Sequence, residues 1–585
     1  MINMKNYKKV YAAFILAGGL ILHGCNGIFD DLAINPNQPS MGAYFTSPSA
    51  VNDAVMTMYG YMSTQRCLGA SGSKTTIIRS DEASSNSDYG KPGMFGADLN
   101  ASYYTIEQPY TLMYTTASQA SYIIETAPSV DFSGNEELRN AYMGEAYFWR
   151  AFAHYYLLIN FRNISPIRQM PRNGDDYVRP LEKPAAVWDF IQEDLAHAKE
   201  LLPVKGYWDS KNAGRVTKAS AAALLGKAYL YRSGIEQYYG EDKTTFYSEA
   251  AKEFADIIDG KYGTYDLTKN YADNFDVAHE NNEESILEFQ FLGDVDNAGF
   301  NPGLATSGLA FDSRGLMLPG AGVGYEGVVH NWLYNAFVNS IDKDGYTDIR
   351  MFSTMIFNDL DASIHLRNDA GGNPVRLEGP GGYKWEELYP AKNGKEGFAT
   401  VSNPLAHSFK AGIRKGIDCS MPTQTEADGT PKLVGVGAGV KEYVYNQPRA
   451  HGVNWRYIRY ADVLMMYAES VVSGGTQASN MTPLQAVNKV RGRVNMSELP
   501  SVTMTDIQNE RILEFALEGH RFYDLLRWGK LASRFTELQE SDPNFKKFIS
   551  ADDFKGFVTN KHEWLPIPIN EVNSNPYITE NNPGY

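Results

Sequence analysis

Apolar residues recur at helical spacing through the first half of the chain. In the longest such stretch Tyr142, Ala146, Trp149, Phe152, Ala153 and Tyr156 are separated by three or four positions, which predicts a helix over Glu136 to Phe161. The same periodicity predicts helices over Val51 to Met62 and Tyr110 to Thr126, the second ended by Pro128. Ala185 to Leu202 is closed by Pro203, Thr217 to Arg232 by Gly234, and Tyr247 to Asp259 follows. Alanine-rich faces such as Ala219 to Ala223 allow close helix contact, and the large aromatics opposite fill the grooves. Recurring at roughly 30-residue spacing, this alternation is the signature of tetratricopeptide-type helix pairs. The fold class expected is mainly α.

Two stretches break the pattern. Residues 69–100 are rich in Gly, Ser and Asp, with Tyr89 and Phe95 embedded, and read as long loops. From about 290 to 440 glycines crowd the chain, among them Gly303, Gly315, Gly320, Gly372 and Gly379, and irregular loops with a few short helices are expected. Helices resume from Tyr457. Residues 26–48 carry Pro36, Pro39 and Pro48 among asparagines and read as an extended tether. The organisation expected is therefore an export signal over 1–24 and a tether over 25–48. A tetratricopeptide-like part with loop insertions covers 49–290, a loop-rich variable region 291–440, and a helical C-terminal part 441–585, all in one compact unit.

Composition sharpens this picture at three points. The chain has 38 Tyr in an aromatic fraction of 13%, which suits both a large core and surfaces that contact sugar rings. A formal net charge of −16, with no basic stripe, argues against nucleic acid as a partner. Of three cysteines, Cys67 and Cys419 are left as either a bridge in an oxidising compartment or two buried thiols. The third, Cys25, follows a signal-like N-terminus. Lys5, Lys8 and Lys9 precede an apolar run from Tyr11 to Leu22, too short to span a membrane. Leu22-His23-Gly24-Cys25 then resembles a bacterial lipobox, with His23 departing from the usual residue. Lipidation at Cys25 is expected, with anchoring to an outer membrane, and Asp30-Asp31 resembles the surface-export signal of some Gram-negative lipoproteins.

Several longer motifs carry a family resemblance. Ile458 to Glu469 reads IRYADVLMMYAE, Asn488 to Val494 reads NKVRGRV, and Glu510 to Lys530 reads ERILEFALEGHRFYDLLRWGK. Gly214 to Ala219 reads GRVTKA, and Asp344-Gly345 is followed by Asp348-Ile349-Arg350. The chain finishes with Leu565-Pro566-Ile567-Pro568 and Asn581-Asn582-Pro583-Gly584-Tyr585. In this order these resemble the SusD/RagB family. Val494, Ile349 and Asn581 replace its Ala, Pro and Gln. The resemblance implies a tetratricopeptide-like scaffold bearing a variable, loop-rich ligand region. It also implies a binding protein rather than an enzyme, seated as a lid over a SusC-like TonB-dependent outer-membrane transporter. The motifs say almost nothing about the ligand: a glycan is the leading expectation, with peptide, the class the RagB side implies, as the alternative.

The charged C-terminal residues invite a catalytic reading. On one helix Glu514, Glu518 and Arg521 would share a face, and paired carboxylates do acid–base work in glycosidases. With Arg511, Asp524, Phe515, Phe522 and Trp528 alongside, a buried ion-pair network is the better expectation, and the same holds for Arg459 and Asp462. Asp342 to Asp348 superficially resembles a calcium loop, but Gly345 and Ser353 fall where an EF-hand does not want them, so no cofactor is expected beyond a remote option of structural calcium. No zinc, phosphate-loop or nucleophile-elbow motif is present. Candidate sugar contacts are the aromatic and polar residues of the two loop zones. These are Arg79, Asp81, Tyr89 and Phe95 in the first, and Tyr325, Trp332, Tyr383 and Trp385 in the second.

Overall fold

Local chemistry sets most helix limits. In the computed structural model Ser47 caps α1 (Pro48–Ser63) by accepting the Ala50 N–H, and Pro48 takes the first turn, where its missing N–H costs nothing. Helix α3 spans Glu136–Phe161 as expected, capped by Asn135, with Glu136 and Glu137 complementing the dipole of its first turn. Helix α2 (Tyr104–Thr126) starts earlier than expected and runs through Pro109, at the cost of one backbone hydrogen bond. The structure describes residues 45–64, 66–69, 72, 74–85, 95, 99–291, 311–312, 326–379, 384–388, 410–416, 427, 433–435, 441–443, 450–451, 453–542, 545 and 556–585. Cys25, Tyr89, Tyr325, Tyr383 and Cys419 lie outside them.

Helices α4 (Pro184–Leu201), α5 (Lys218–Tyr239) and α6 (Tyr247–Ile258) continue the array. Gly234 was expected to end α5 and does not. It lies inside the helix because a Cβ there would stand 2.5 Å from the Arg527 carbonyl oxygen of α13 (Arg521–Arg527). The glycine serves close helix packing, which a single-helix pattern does not reveal. Gly226 does the same against Phe254, with 2.7 Å to the ring.

Each helix from α2 to α6 packs on the one before it. Helix α6 then packs on α10 (Tyr460–Val472), and α10 on α11 (Pro483–Arg493). The array is therefore continuous across some two hundred residues of intervening sequence. The neck of that excursion is an antiparallel pair, β2 (Ser285–Phe289) with β6 (Trp455–Arg459), in which Phe289 faces Trp455 and Ser285 faces Arg459. Ile458 and Arg459 were expected to open a helix. They close the strand instead, and α10 begins at Tyr460.

The excursion is not only loops. It contributes β3 (Glu326–Val329), β4 (Met355–Phe357) and β5 (Ala411–Ile413), with the short helices α7 (Asn331–Val338), α8 (Arg350–Thr354) and α9 (Trp385–Leu388). With β1 (Ala83–Ser85) from the first loop zone these strands form one antiparallel sheet in the order β1-β3-β5-β4. Strands of three or four residues are too short to show alternation, so nothing in the pattern announced them.

Helices α12 (Met504–Glu514), α13, α14 (Leu531–Ser541) and α15 (Ile569–Ser574) complete the chain. One contiguous core runs from Phe45 to Ile578, with Trp149, Trp188, Tyr155 and Phe152 fully buried in it. The C-terminal motif is a stitch. The Asn582 amide donates to the Phe161 carbonyl at 2.8 Å and to the Leu565 carbonyl at 2.7 Å. Cys67 is a buried free thiol, and burial pushes its pKa up. Among the described residues no helix is long and apolar enough to cross a membrane.

Candidate ligand-binding site

The four-stranded sheet joins the two loop zones. Ser85 pairs with Glu326, and Val328 with Gly412. The chain therefore leaves β1 at Ser85, enters β3 at Glu326 and leaves β5 at Ile413 at one end of the sheet. The sequence segments attached there include those carrying Tyr89 and Tyr325.

A short turn between α12 and α13 holds this sheet. Glu514, Glu518 and Arg521 were expected on one helix, but α12 stops at Glu514, and Leu517 and Gly519 take φ of 60° and 85°. Gly519 suits such a φ, and a Cβ there would also stand 2.9 Å from the Thr76 hydroxyl. Glu82, just before β1, accepts the Leu517 N–H at 2.9 Å. Lys415, just after β5, donates to the Ala516 carbonyl and to Glu518, each at 2.9 Å. The residues just before β1 and just after β5 are thus docked on one motif. Burial pushes the Glu82 carboxyl up to about 8, partly offset by the Leu517 N–H, and lowers Lys415 to about 8 against the pull of Glu518.

The opposite end of the sheet is fastened by Asp81. Its carboxylate takes Arg521 Nε at 2.9 Å and Arg534 Nε at 2.7 Å. Burial alone would raise its pKa, but the two guanidiniums outweigh burial and hold it below the usual carboxylate range. The Asp81 carbonyl accepts from Trp332 Nε1 and, at 2.8 Å, from His330 Nδ1. Burial lowers the His330 pKa, so the ring is neutral, Nδ1 carries the proton, and Nε2 accepts from the Ser84 hydroxyl. The Trp332 ring lies 4.2 Å from the Arg534 guanidinium.

These placements correct part of the expected ligand set. Arg79 is fully buried and donates to the His562 and Glu563 carbonyls, each at 3.0 Å. Asp81 is fully buried between its arginines, Phe95 stacks on His562 inside the core, and Trp385 is only 5% exposed. All four are framework, because a large ring or an ion pair in a loop-rich stretch finds core before it finds solvent. Trp332 keeps part of its surface exposed. Tyr89, Tyr325 and Tyr383 lie outside the described residues. His330, Arg521 and Arg534 position the sheet. Arg521 stood in a recognised motif, but its partner, some 440 positions away, left no trace in the local pattern.

The catalytic alternative fails on geometry. Glu514 accepts from Arg459 at 2.6 Å and from Arg350 at 3.0 Å, and also pairs with Arg493. Glu284, Glu510 and Glu518 pair with the same arginines or with Arg491. Burial would raise the Glu514 pKa, but Arg493, Arg459 and Arg350 together hold it far below the usual range. A carboxylate held this way neither donates nor accepts a proton near neutral pH. Asp462 is held low in the same manner between Lys227 and Arg511. In the calcium-like segment Asp342 receives the Asp344 and Tyr346 N–H groups and pairs with Arg367, so a guanidinium stands where a cation would. No group of metal-ligating side chains occurs among the described residues.

The molecule is a helical array with a small sheet inserted into it, and the carboxylates of its C-terminal motifs are structural. Comparison with known proteins agrees. Residues 427–585 match the SusD family, and residues 34–230 match a SusD-like family described as starch-binding and associating with the outer membrane. A SusD-like protein of Bacteroides ovatus is 25% identical over 533 residues, covering 90% of this chain and 83% of its own length. A SusD superfamily structure from Bacteroides vulgatus superposes with a TM-score of 0.67 at 21% identity, covering 93% of this chain and all of that one. Surface glycan-binding protein A of Bacteroides thetaiotaomicron, solved with laminarihexaose, gives a TM-score of 0.65 at 18% identity, covering 92% of this chain and all of that one. The chain belongs to the SusD/RagB family.

Proposed function

We propose that this protein is a surface lipoprotein that captures a glycan at the loop-bearing end of the sheet and delivers it to a SusC-like TonB-dependent transporter. The observation that carries the reading is convergence. Segments far apart in sequence enter and leave one small sheet at one end, and the relative with the same fold was solved with a bound laminarihexaose. Tyr89 and Tyr325 belong to those segments, and a tyrosine face suits a pyranose; Trp332, bonded to the Asp81 carbonyl, sits at the other end of the sheet. The lipid at Cys25 and the tether behind it keep the body beside its transporter.

Incubating the acyl-free protein with a polysaccharide panel tests this. Retention of a polysaccharide without released sugars is the expected result. Released product, or retention of peptides alone, sinks it. Tyr89→Ala and Tyr325→Ala should each weaken retention, whereas Trp332→Ala, at the Asp81 end, and Trp385→Ala should act on stability. In the intact cell Cys25→Ala should release the protein from the outer membrane.

A further inference from the structure

A second groove lies away from the sheet. About 380 Å³ in volume, it opens between the first turns of α2, the 165–179 segment and α15, and shares no residue with the sheet or the Asp81 junction. That volume falls in the ordinary range for small-ligand sites, about 300–1,000 Å³. Three distant parts of the chain are bonded into its walls. The Ser165 N–H donates to the Tyr114 hydroxyl at 3.1 Å, and the Asn570 amide donates to Glu107. The Asn575 amide bridges the Arg179 carbonyl at 2.9 Å and Glu571 at 3.1 Å. The groove is therefore preformed, and a ligand would pay little to organise it.

An exposed aromatic ring stands in its wall. Tyr177, in the groove wall, is 56% exposed. Tyr104 lies one helical turn before Glu107, and Tyr577 lies two residues beyond Asn575. They are 39% and 58% exposed. Among the described residues, Tyr177 is one of four strongly exposed tyrosines, and it lies in the groove wall. The lining is otherwise rich in hydroxyls and carries two carboxylates, Glu107 and Glu571, against one guanidinium, Arg179. Such a balance repels phosphate, sulfate and uronate chains. It also offers donors and acceptors in pairs, as vicinal hydroxyls require, beside an aromatic face for the apolar side of a sugar ring.

We infer that this groove is a second carbohydrate site, taking a short stretch of neutral oligosaccharide with Tyr177 as the stacking face and Glu107, Glu571 and Arg179 as hydroxyl partners. It holds a glycan already engaged at the sheet, or a second strand of it, and so raises avidity without any change at the first site.

The test titrates the acyl-free mature chain with laminarihexaose, maltohexaose, xylohexaose and mannohexaose, and with a galacturonate oligomer of equal length, reading stoichiometry and affinity by calorimetry. Expected are two classes of site for at least one neutral hexaose. Tyr177→Ala and Glu571→Gln should each weaken one class by about five- to tenfold while leaving the other and the melting temperature unchanged. The galacturonate oligomer should not occupy that class. Saturable binding unaltered by both substitutions overturns the inference, as does failure of all four neutral hexaoses to reach the groove or equal occupancy by the galacturonate oligomer. Single-site binding abolished by Tyr177→Ala would uphold the groove and overturn capture at the sheet, so the two readings fail separately.

Discussion

Two clusters in this protein use the same chemistry, a carboxylate held under guanidiniums, at different depths. Around Glu514 the arginines Arg350 and Arg459 are wholly buried, and its partners come from α8 of the excursion, from the neck strand β6 and from α11. Around Asp81 one arginine, Arg534, keeps 15% of its side chain exposed, and the elements held are short strands. The first cluster ties the excursion's neck to the C-terminal helices. The second ties down a sheet whose other end is the proposed capture site. Depth separates the two: the arginines on Glu514 are shut off from water, whereas at the equally buried Asp81 one arginine, Arg534, reaches towards the surface.

Removing the carboxylate at the centre of the deep cluster should have the largest effect. Glu514→Ala leaves Arg350, Arg459 and Arg493 short of a partner in the interior, and should cost about 3–5 kcal/mol in urea unfolding. Asp81→Asn should cost less, about 3 kcal/mol, because Arg534 recovers some water. Its mark should be local, with faster amide exchange in 83–85 and 326–329 and weaker glycan retention. If both variants loosen the same amides, the two clusters are one cooperative unit and the contrast fails.

Glu82 sharpens the comparison through pH. Its carboxyl stands at about 8 in the fold, against about 4.5 when exposed. Between these values the folded state binds more protons than the unfolded one, so this group's contribution, full below 4.5, is lost as pH rises towards 8. Glu82→Gln keeps an acceptor for Leu517 N–H and removes that slope. It should be more stable than the parent at pH 8, on the order of 4 kcal/mol, and no different at pH 4. A parent and variant with parallel pH profiles would contradict the buried, protonated Glu82. At the far end of the scale, Lys183 and Glu241 pair in open solvent, with side chains 82% and 89% exposed. Lys183→Ala should shift unfolding by less than about 0.5 kcal/mol.

Helices were legible because their signals are local. The limits of α3 follow from Asn135, two glutamates and an aromatic stripe, all within one window. The charged motifs were legible as a buried network because opposite charges stood among large apolar residues. The break in the Glu510 to Lys530 run was not, since it depends on Leu517 and Gly519 meeting a sheet from elsewhere. Gly234 misled for the same reason: its neighbour is the Arg527 backbone, almost three hundred residues on. Arg79, Asp81, Phe95 and Trp385 were chosen for their residue type in loop-rich stretches, and type does not report burial.

The sequence alone therefore determined the helical class and the family, since periodicity and motif order survive without coordinates. Tertiary structure decided the rest. It made one sheet from two loop zones, put its strand ends side by side, and turned a motif between two helices into the platform beneath it. It also assembled the tyrosine-rimmed groove from residues near 110, 177 and 570. Pairing across hundreds of residues is selected by the packing of the whole chain, and no local window contains it.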